Sequence, residues 1–437
     1  MNIYLDMVGC RLNQAEIEQM ARQFRADGHT IVAAAGAADM VVVNTCSVTA
    51  EAASDSRQKI RQAARAGAKE IFVTGCWSTL EPSQAAALPQ VAGVIPNGEK
   101  DHLVAGLLER FEPAEGLTTF ELEPLARRPI PGLRQRTRAF IKVQDGCDNA
   151  CTFCITTIAR GASRSRPAAE VIADVSAALK GGAREIVLTG VHLGSWGQDF
   201  NSHLRLLIAQ ILKETDPQRL RLSSLEPWDL DEDFFSLWAD ERLCPHLHLP
   251  LQSGSAATLK RMLRKTSPDS FRSLVAAARR QIPDLAITTD LICGFPGESE
   301  SEFAETLAFI QEINFAGGHV FSYSARPGTP AARIKEQVPL PLRKQRNHLL
   351  QAAFAEMSAA YHRQFLGQSL PVLWEASAVR NEHGWQIEGL TGNYIRVTAT
   401  APEIRWNQID TVKLSGLTED GMSGEITDPS GQIFIPK

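Results

Sequence analysis

The stretch DGCDNACTFC, residues 145–154, constrains this chain more than any other feature. Cys147, Cys151 and Cys154 form a CxxxCxxC array in one tight loop, directly after the apolar run RAFIKV. A structural zinc ion normally takes four nitrogen or sulfur ligands, often from two CxxC knuckles. No fourth cysteine or histidine lies near this loop. Three thiolates on a four-iron cluster leave one iron open, which S-adenosylmethionine (SAM) can chelate through its amino and carboxylate groups. Phe153, just before the last cysteine, is placed to line an adenine pocket. The spacing favours an iron–sulfur cluster over zinc.

The same region alternates strands and helices. RAFIKV, EIVLTG, RLRLSS, HLHLP, AITTDLI and HVFSYS are candidate strands. Helical patterns separate most of them, such as Val171, Ile172, Val175 and Leu179 before Gly181 and Gly182. Six such units predict a partial (β/α)6 barrel over residues 126–340, with its site at the carboxyl ends of the strands. Cys147, Thr189, Gly190, Glu226, Gln252 and Gly294 all fall there.

Residues 1–125 also alternate. MNIYLDMV, ADMVVVN and EIFVTG read as strands. Between the first two, Ile17, Met20, Ala21 and Phe24 make the apolar face of a helix, Asn13 and Glu16 read as a capping box, and Gly28 suits its C′ position. Cys10, Cys46 and Cys76 each follow one of these strands. Parallel strands end on one sheet edge, so the three thiols are expected to converge there. The alternative is three unrelated core cysteines, which would sit inside strands rather than just beyond them. A triad of this kind also leaves a coordination position free for an iron–sulfur cluster.

A proline-bearing stretch over about 112–137 reads as a linker. Residues 341–437 are predicted to form a linker helix, with Leu350, Phe354, Met357, Tyr361 and Phe365 on one face and Gly367 at its end. Five short alternating runs follow, the pattern of a small antiparallel barrel. The fold class is thus α/β: an N-terminal parallel-sheet domain, a partial barrel and a small β-barrel.

Composition narrows the function. The chain has 437 residues, eight cysteines and a formal net charge of −5, which suits two or three domains. Neither a signal peptide nor a membrane span is legible, so a cytoplasmic location is expected, where thiols serve as ligands rather than disulfides. Basic residues concentrate between Arg127 and Arg166, including Arg134, Arg136, Arg138, Lys142, Arg160 and Arg164. That segment is a candidate phosphate grip. The last segment is acidic, although Trp385, Tyr394, Arg396 and Trp406 offer local RNA-binding chemistry.

These motifs resemble those of the radical SAM methylthiotransferases over nearly the full length. The resemblance is carried by GCRLNQAE, NTCSVTAEAASDSRQ, TGCW, DGCDNACTFC and ARGASRSR, then by LTGVHLGSWG, SSLEP, HLPLQSGS, TTDLICGFPGE and YSARPGTPA. It implies two [4Fe–4S] clusters. The one on Cys147, Cys151 and Cys154 cleaves SAM to a 5′-deoxyadenosyl radical. The auxiliary one on Cys10, Cys46 and Cys76 carries sulfur, which a second SAM methylates. By position, Thr189 and Gly190 take the SAM amino group, Ser224 and Glu226 its ribose or amino group, and Gln252 another part of it. The glutamate that often follows the glycine pair of radical SAM enzymes is missing. Arg160, Arg164 and Arg166 are expected on substrate phosphate or the SAM carboxylate.

The motifs look most like the branch acting on N6-threonylcarbamoyladenosine beside the tRNA anticodon. The isopentenyladenosine branch and the branch acting on a ribosomal-protein aspartate are the alternatives. Where the latter normally has lysine and asparagine after its first cysteine, this chain has Arg11, Leu12 and Asn13. The implied partners are tRNA, SAM, a flavodoxin- or ferredoxin-like reductant and a sulfur donor, with no membrane. The competing class is an iron–sulfur electron carrier or a zinc-stabilised RNA-binding module. Neither needs a SAM pocket, and SAM cleavage separates them from the enzyme.

Overall fold

The computed structural model describes residues 1–108 and 137–427. The expected linker lies outside them except for Thr137, and so do Arg127, Arg128, Arg134 and Arg136 of the basic segment.

The first segment is a five-stranded parallel sheet. Its strands are β1 (Asn2–Met7), β2 (Thr30–Ile31), β3 (Met40–Thr45), β4 (Ile71–Gly75) and β5 (Val91–Ile95), in the order β2-β1-β3-β4-β5. β3 is buried at every residue, as a continuous apolar run covered on both faces should be. Helix Arg11–Ala26 packs Met20 and Phe24 with Ile3 and Val42 on one face. Helix Ala50–Arg65 packs Ala53 and Ile60 with Val41, Val43 and Ile71 on the other. Gly28, at φ +81°, ends the first helix as expected. The capping box does not form: Cys10 is the N-cap, without a side-chain bond, and Asn13 and Glu16 turn into the protein.

The central segment holds six parallel strands in two arcs. β6 (Arg138–Lys142) leads into a short antiparallel hairpin, β7 (Gln144–Asp145) with β8 (Arg164–Ser165), which frames the CxxxCxxC loop. β9 (Glu185–Thr189) and β10 (Arg219–Leu222) complete the arc β10-β9-β6. β11 (His246–His248), β12 (Ala286–Cys293) and β13 (Gly317–Ser322) form the other. A parallel bridge between Leu220 and Leu243 links the arcs. All six expected strands are present, and their helices enclose the largest apolar core.

Helix Leu340–Arg363 lays Leu350, Phe354 and Met357 into that core. Phe365 lies past the helix end and fills the next core instead. That core belongs to a closed barrel of β14 (Ser369–Asn381), β15 (Gly384–Thr391), β16 (Arg396–Ala401), β17 (Ile409–Thr418) and β18 (Gly421–Ile426), ordered β14-β15-β16-β18-β17. Its pairings are antiparallel except β16 with β18, which is parallel. An odd ring cannot alternate direction throughout, so one parallel seam is obligatory.

The small barrel closes the amino-terminal end of the partial barrel, opposite the cysteines. Arg138 pairs with Glu375 at 2.7 Å, Arg219 donates to the Leu390 carbonyl at 2.8 Å and Arg221 to that of Gly392 at 3.0 Å. Tyr394, at φ +68°, stacks on His246 with ring centroids 4.4 Å apart and accepts from Arg11 at 2.7 Å. Tyr394 is therefore part of the docking contact and not an exposed RNA-binding ring. Among the described residues, no helix is long and apolar enough to cross a membrane.

Candidate active site

Three glycine–cysteine dipeptides build the two cysteine clusters. β1, β3 and β4 are neighbours in the sheet, and Cys10, Cys46 and Cys76 follow their carboxyl ends. Gly9 (φ +109°) and Gly75 (φ +102°) turn the chain out of β1 and β4. A Cβ on Gly9 would lie 2.7 Å from the Cys46 Cβ and Sγ, so the Cys10 loop rests directly against Cys46. Burial, with the Cys10 and Cys76 sulfurs nearby, pushes the Cys46 thiol up to about 11. Metal ligation would have to draw that proton off.

In the second triad Gly146 (φ +70°) precedes Cys147, and a Cβ there would meet the Ala162 carbonyl at 1.9 Å. Gln144 fixes the loop by donating to the carbonyls of Asp145 and Gly146 at 2.9 and 2.8 Å. Each sulfur accepts a hydrogen bond: Cys147 from the Asn149 amide and Cys154 from the Thr156 amide, both at 3.4 Å, and Cys151 from Arg264 at 3.7 Å. Such donors favour thiolate ligands. Behind the loop, His192 binds Asp229 at 2.5 Å. Burial opposes its charge, but hydrogen bonds to Asp229 and Cys147 push His192 up to about 10.

Each triad offers three free thiols, the donor type that iron–sulfur clusters take. Among the described residues, no three Cys, His, Asp or Glu side chains are placed to hold one metal ion. In a four-iron cluster each thiolate binds its own iron, so the sulfurs must surround a volume rather than meet at a point.

Two clefts lie beside the cysteine loops, and Cys154 is the one cysteine that lines either. One, of about 190 Å³, runs between Val48 and Thr49 beside Cys46 and Phe153, Cys154 and Gln252 of the central segment. The other, of about 350 Å³, lies over Ser47 and Trp77, next to Cys46 and Cys76. Ile155 and Arg326 line both.

Phe153 lines the first cleft and packs edge-on against Phe295, with centroids 6.5 Å apart. Gln252, at φ +74°, lines it too, held to β12 by a bond from its amide to the Asp290 carbonyl at 2.8 Å. Thr189 is buried at the end of β9, where its carbonyl accepts from Val143 at 2.9 Å. Gly190 abuts Gln144, and a Cβ there would lie 2.9 Å from its Oε1. Ser224 follows β10, partly exposed. Glu226 takes both terminal nitrogens of Arg264, at 3.1 and 2.5 Å. Thr189, Gly190, Ser224 and Glu226 lie outside the lining of the first cleft.

Arg160 lies elsewhere. Its guanidinium is buried where the first and central segments meet, bonded to Glu16 at 2.8 Å, Asp145 at 2.9 Å and Asn13 at 2.7 Å. Its Nε donates to the Cys76 sulfur at 3.3 Å, alongside Asn97 at 3.7 Å. Every nitrogen is committed inside the protein, so Arg160 supports the first triad. Lys142 pairs with Asp101 and Asp145, and Arg166 with Asp174. Of the basic residues from Arg138 to Arg166, Arg164 keeps the most exposed side chain. Sequence reasoning missed Arg264, Asn97 and Arg326. Only Arg326 had a signal, its place in the YSARPGTPA motif.

Residues 2–96 match the model of uncharacterized protein family UPF0004, and residues 141–310 match the Radical SAM superfamily. A threonylcarbamoyladenosine tRNA methylthiotransferase, MtaB, from Bacillus subtilis is 35% identical over 93% of this chain and 92% of its own length. The Thermotoga maritima protein of the same name is 33% identical over 96% of each. A tRNA-2-methylthio-N(6)-dimethylallyladenosine synthase from Sphingopyxis alaskensis is 32% identical over 95% of this chain and 96% of its own. Among solved structures, the radical SAM methyltransferase TsrM from Kitasatospora setae shares the fold, with a TM-score of 0.54 at 15% identity over 76% of this chain and 75% of that one. The site and these relatives agree: the chain belongs to the methylthiotransferase family of radical SAM enzymes, which use SAM and a [4Fe–4S] cluster.

Proposed function

We propose that this enzyme methylthiolates C2 of N6-threonylcarbamoyladenosine at position 37 of tRNA, in the cytoplasm. Cys147, Cys151 and Cys154 would hold a [4Fe–4S] cluster that binds SAM, and Cys10, Cys46 and Cys76 would hold a second cluster. When bound, these groups supply the radical that activates the C–H bond and the sulfur that replaces its hydrogen. A flavodoxin- or ferredoxin-like reductant and a sulfur donor complete the cycle.

What supports this reading most is the pair of clefts, one lined by Cys154 and the other by Ser47 and Trp77, the residues after Cys46 and Cys76, sharing Ile155 and Arg326 as a wall. A nucleoside there would lie between the two cysteine sets. Phe153 and Tyr323 line the first cleft and pack on the buried Phe295, an apolar side that would help keep water from a reactive intermediate. Gln252 lines the cleft as a left-handed residue tied into β12 by its backbone. Arg264 holds Glu226 and Cys151 together and lies over the Trp228 ring at 4.4 Å. Relatives named for threonylcarbamoyladenosine support the branch. Relatives named for dimethylallyladenosine favour isopentenyladenosine as the second reading.

The test is turnover by anaerobically reconstituted enzyme with SAM, reductant and tRNA bearing one or the other modified base. The 2-methylthio product is expected only from the threonylcarbamoyl tRNA. Turnover of only the isopentenyl tRNA would overturn the branch, and SAM cleavage without methylthiolation of either would overturn the substrate class.

A further inference from the structure

Arg326 differs from the other arginines around the site. Arg160 and Arg264 bind carboxylates, Arg261 binds Glu302 and Arg343 the Tyr323 carbonyl. Arg326 has two buried nitrogens, Nε and Nη2, with no hydrogen-bond partner. A guanidinium remains charged at any accessible pH, and a buried charge without a partner is costly. Burial lowers its pKa, and the one group that opposes this is the Cys46 thiol; no carboxylate does.

The segment carrying it is fixed. The Arg326 carbonyl accepts from the Thr329 amide at 3.1 Å and the Thr329 hydroxyl at 2.8 Å, closing a turn that contains Gly328 at φ +89°. The Ala331 amide donates to the Thr152 carbonyl at 2.9 Å, inside the CxxxCxxC loop, and the Tyr323 amide to the Cys293 carbonyl at 2.9 Å. The turn is therefore tied to the CxxxCxxC loop, and Arg326 lines both clefts. A planar fork with open donors, held rigidly where two clefts meet, is built for an oxyanion.

We propose that Arg326 is a substrate-binding residue that takes an oxyanion of the substrate nucleotide. This rests on the reading that the cleft takes a tRNA nucleoside. Two sources share the chemistry: the carboxylate of the threonylcarbamoyl group and a phosphate flanking the modified base.

The test uses the full reconstituted chain as wild type, Arg326→Met and Arg326→Lys. The affinity of each is measured for a tRNA carrying threonylcarbamoyladenosine and for the same tRNA with plain adenosine there. Loss of a charge-assisted contact should weaken Arg326→Met binding by about 10- to 100-fold. Arg326→Lys, which keeps the charge without the fork, should fall between, and it carries the test if the methionine variant does not fold. A loss confined to the modified tRNA supports the carboxylate. An equal loss on both, with a salt slope smaller by about one, supports the phosphate. Affinities within about twofold of wild type on both tRNAs overturn the proposal. So does a fall in SAM affinity with tRNA binding intact, which assigns the anion to SAM, or loss of reconstituted iron, which makes Arg326 a partner of the cysteines. Wild type that binds neither tRNA would instead sink the functional reading.

Discussion

Arg160→Met is the sharpest structural perturbation available. The side chain is 3% exposed, and Glu16 and Asp145 beside it are 2% and 7% exposed. Methionine preserves much of the volume and removes five donated bonds, two to Glu16 and one each to Asp145, Asn13 and Cys76. Removing one member of a buried ion pair typically costs about 3–5 kcal/mol, mostly through the charge left behind. Lys100 stays 2.9 Å from Glu16 and Lys142 stays 3.3 Å from Asp145, so the lower end, about 3 kcal/mol, is expected. With a urea dependence of about 2–3 kcal/mol per molar, the unfolding midpoint should fall by about 1 M. Glu16, Asn13 and Cys76 belong to the first segment, and Asp145 and Arg160 to the central one. The loss should therefore appear as earlier separation of these segments, together with a lower iron content on reconstitution if the proposed cluster on Cys10, Cys46 and Cys76 forms. Adding Glu16→Gln should recover part of the stability, giving a coupling of about 1–3 kcal/mol in a double-mutant cycle. A midpoint shift below about 0.2 M, or no coupling, would refute the view that this network holds the segments together.

Further outcomes follow from the same geometry. Gly146→Ala should abolish SAM cleavage and lower iron content, because its φ is +70° and the added Cβ would meet backbone at 1.9 Å; normal iron content and cleavage would show that the loop can shift. Burial alone would raise the Glu185 carboxyl, but Arg221, at 2.7 Å, leads the charges that bring it from 4.5 to about 2. Its stabilisation, about 3 kcal/mol, is present above pH 4.5 and lost as pH falls through 2. Glu185→Gln should therefore flatten the acid limb of the stability curve in that window, measured by denaturation at stepped pH, and an unchanged limb would contradict the shift. Tyr394→Ala should destabilise the junction with the small barrel by about 3 kcal/mol, read as a lower melting temperature. An unchanged melting temperature would mean that the stacked contact with His246 does not hold the barrel in place.

The two cysteine sets were legible for different reasons. Cys147, Cys151 and Cys154 are local, so their spacing alone brings them into one loop. Cys10, Cys46 and Cys76 are far apart in sequence, and strand direction alone put them on one sheet edge. The sheet order, which makes β1, β3 and β4 neighbours, was not readable, because strand pairing depends on long-range contacts that leave little local signal. Charge was the least legible feature. Arg160 reads as a surface cation until Glu16 and Asp145 are seen beside it, and Glu16 reads as a helix-capping residue until its helix is seen to pack against the central segment. Tyr394 likewise looks like a nucleic-acid ligand until the small barrel is docked. In each case the sequence specifies the group, and the tertiary neighbour decides what the group does.

On the function proposed above, this enzyme adds a methylthio group to N6-threonylcarbamoyladenosine in tRNA. Mass spectrometry of tRNA nucleosides from cells with and without the gene tests it most directly. The 2-methylthio form of that nucleoside should vanish with the gene and return with the wild-type chain, but not with a Cys46→Ala variant. Its persistence in the deletion strain, where no second such enzyme is present, would contradict the account.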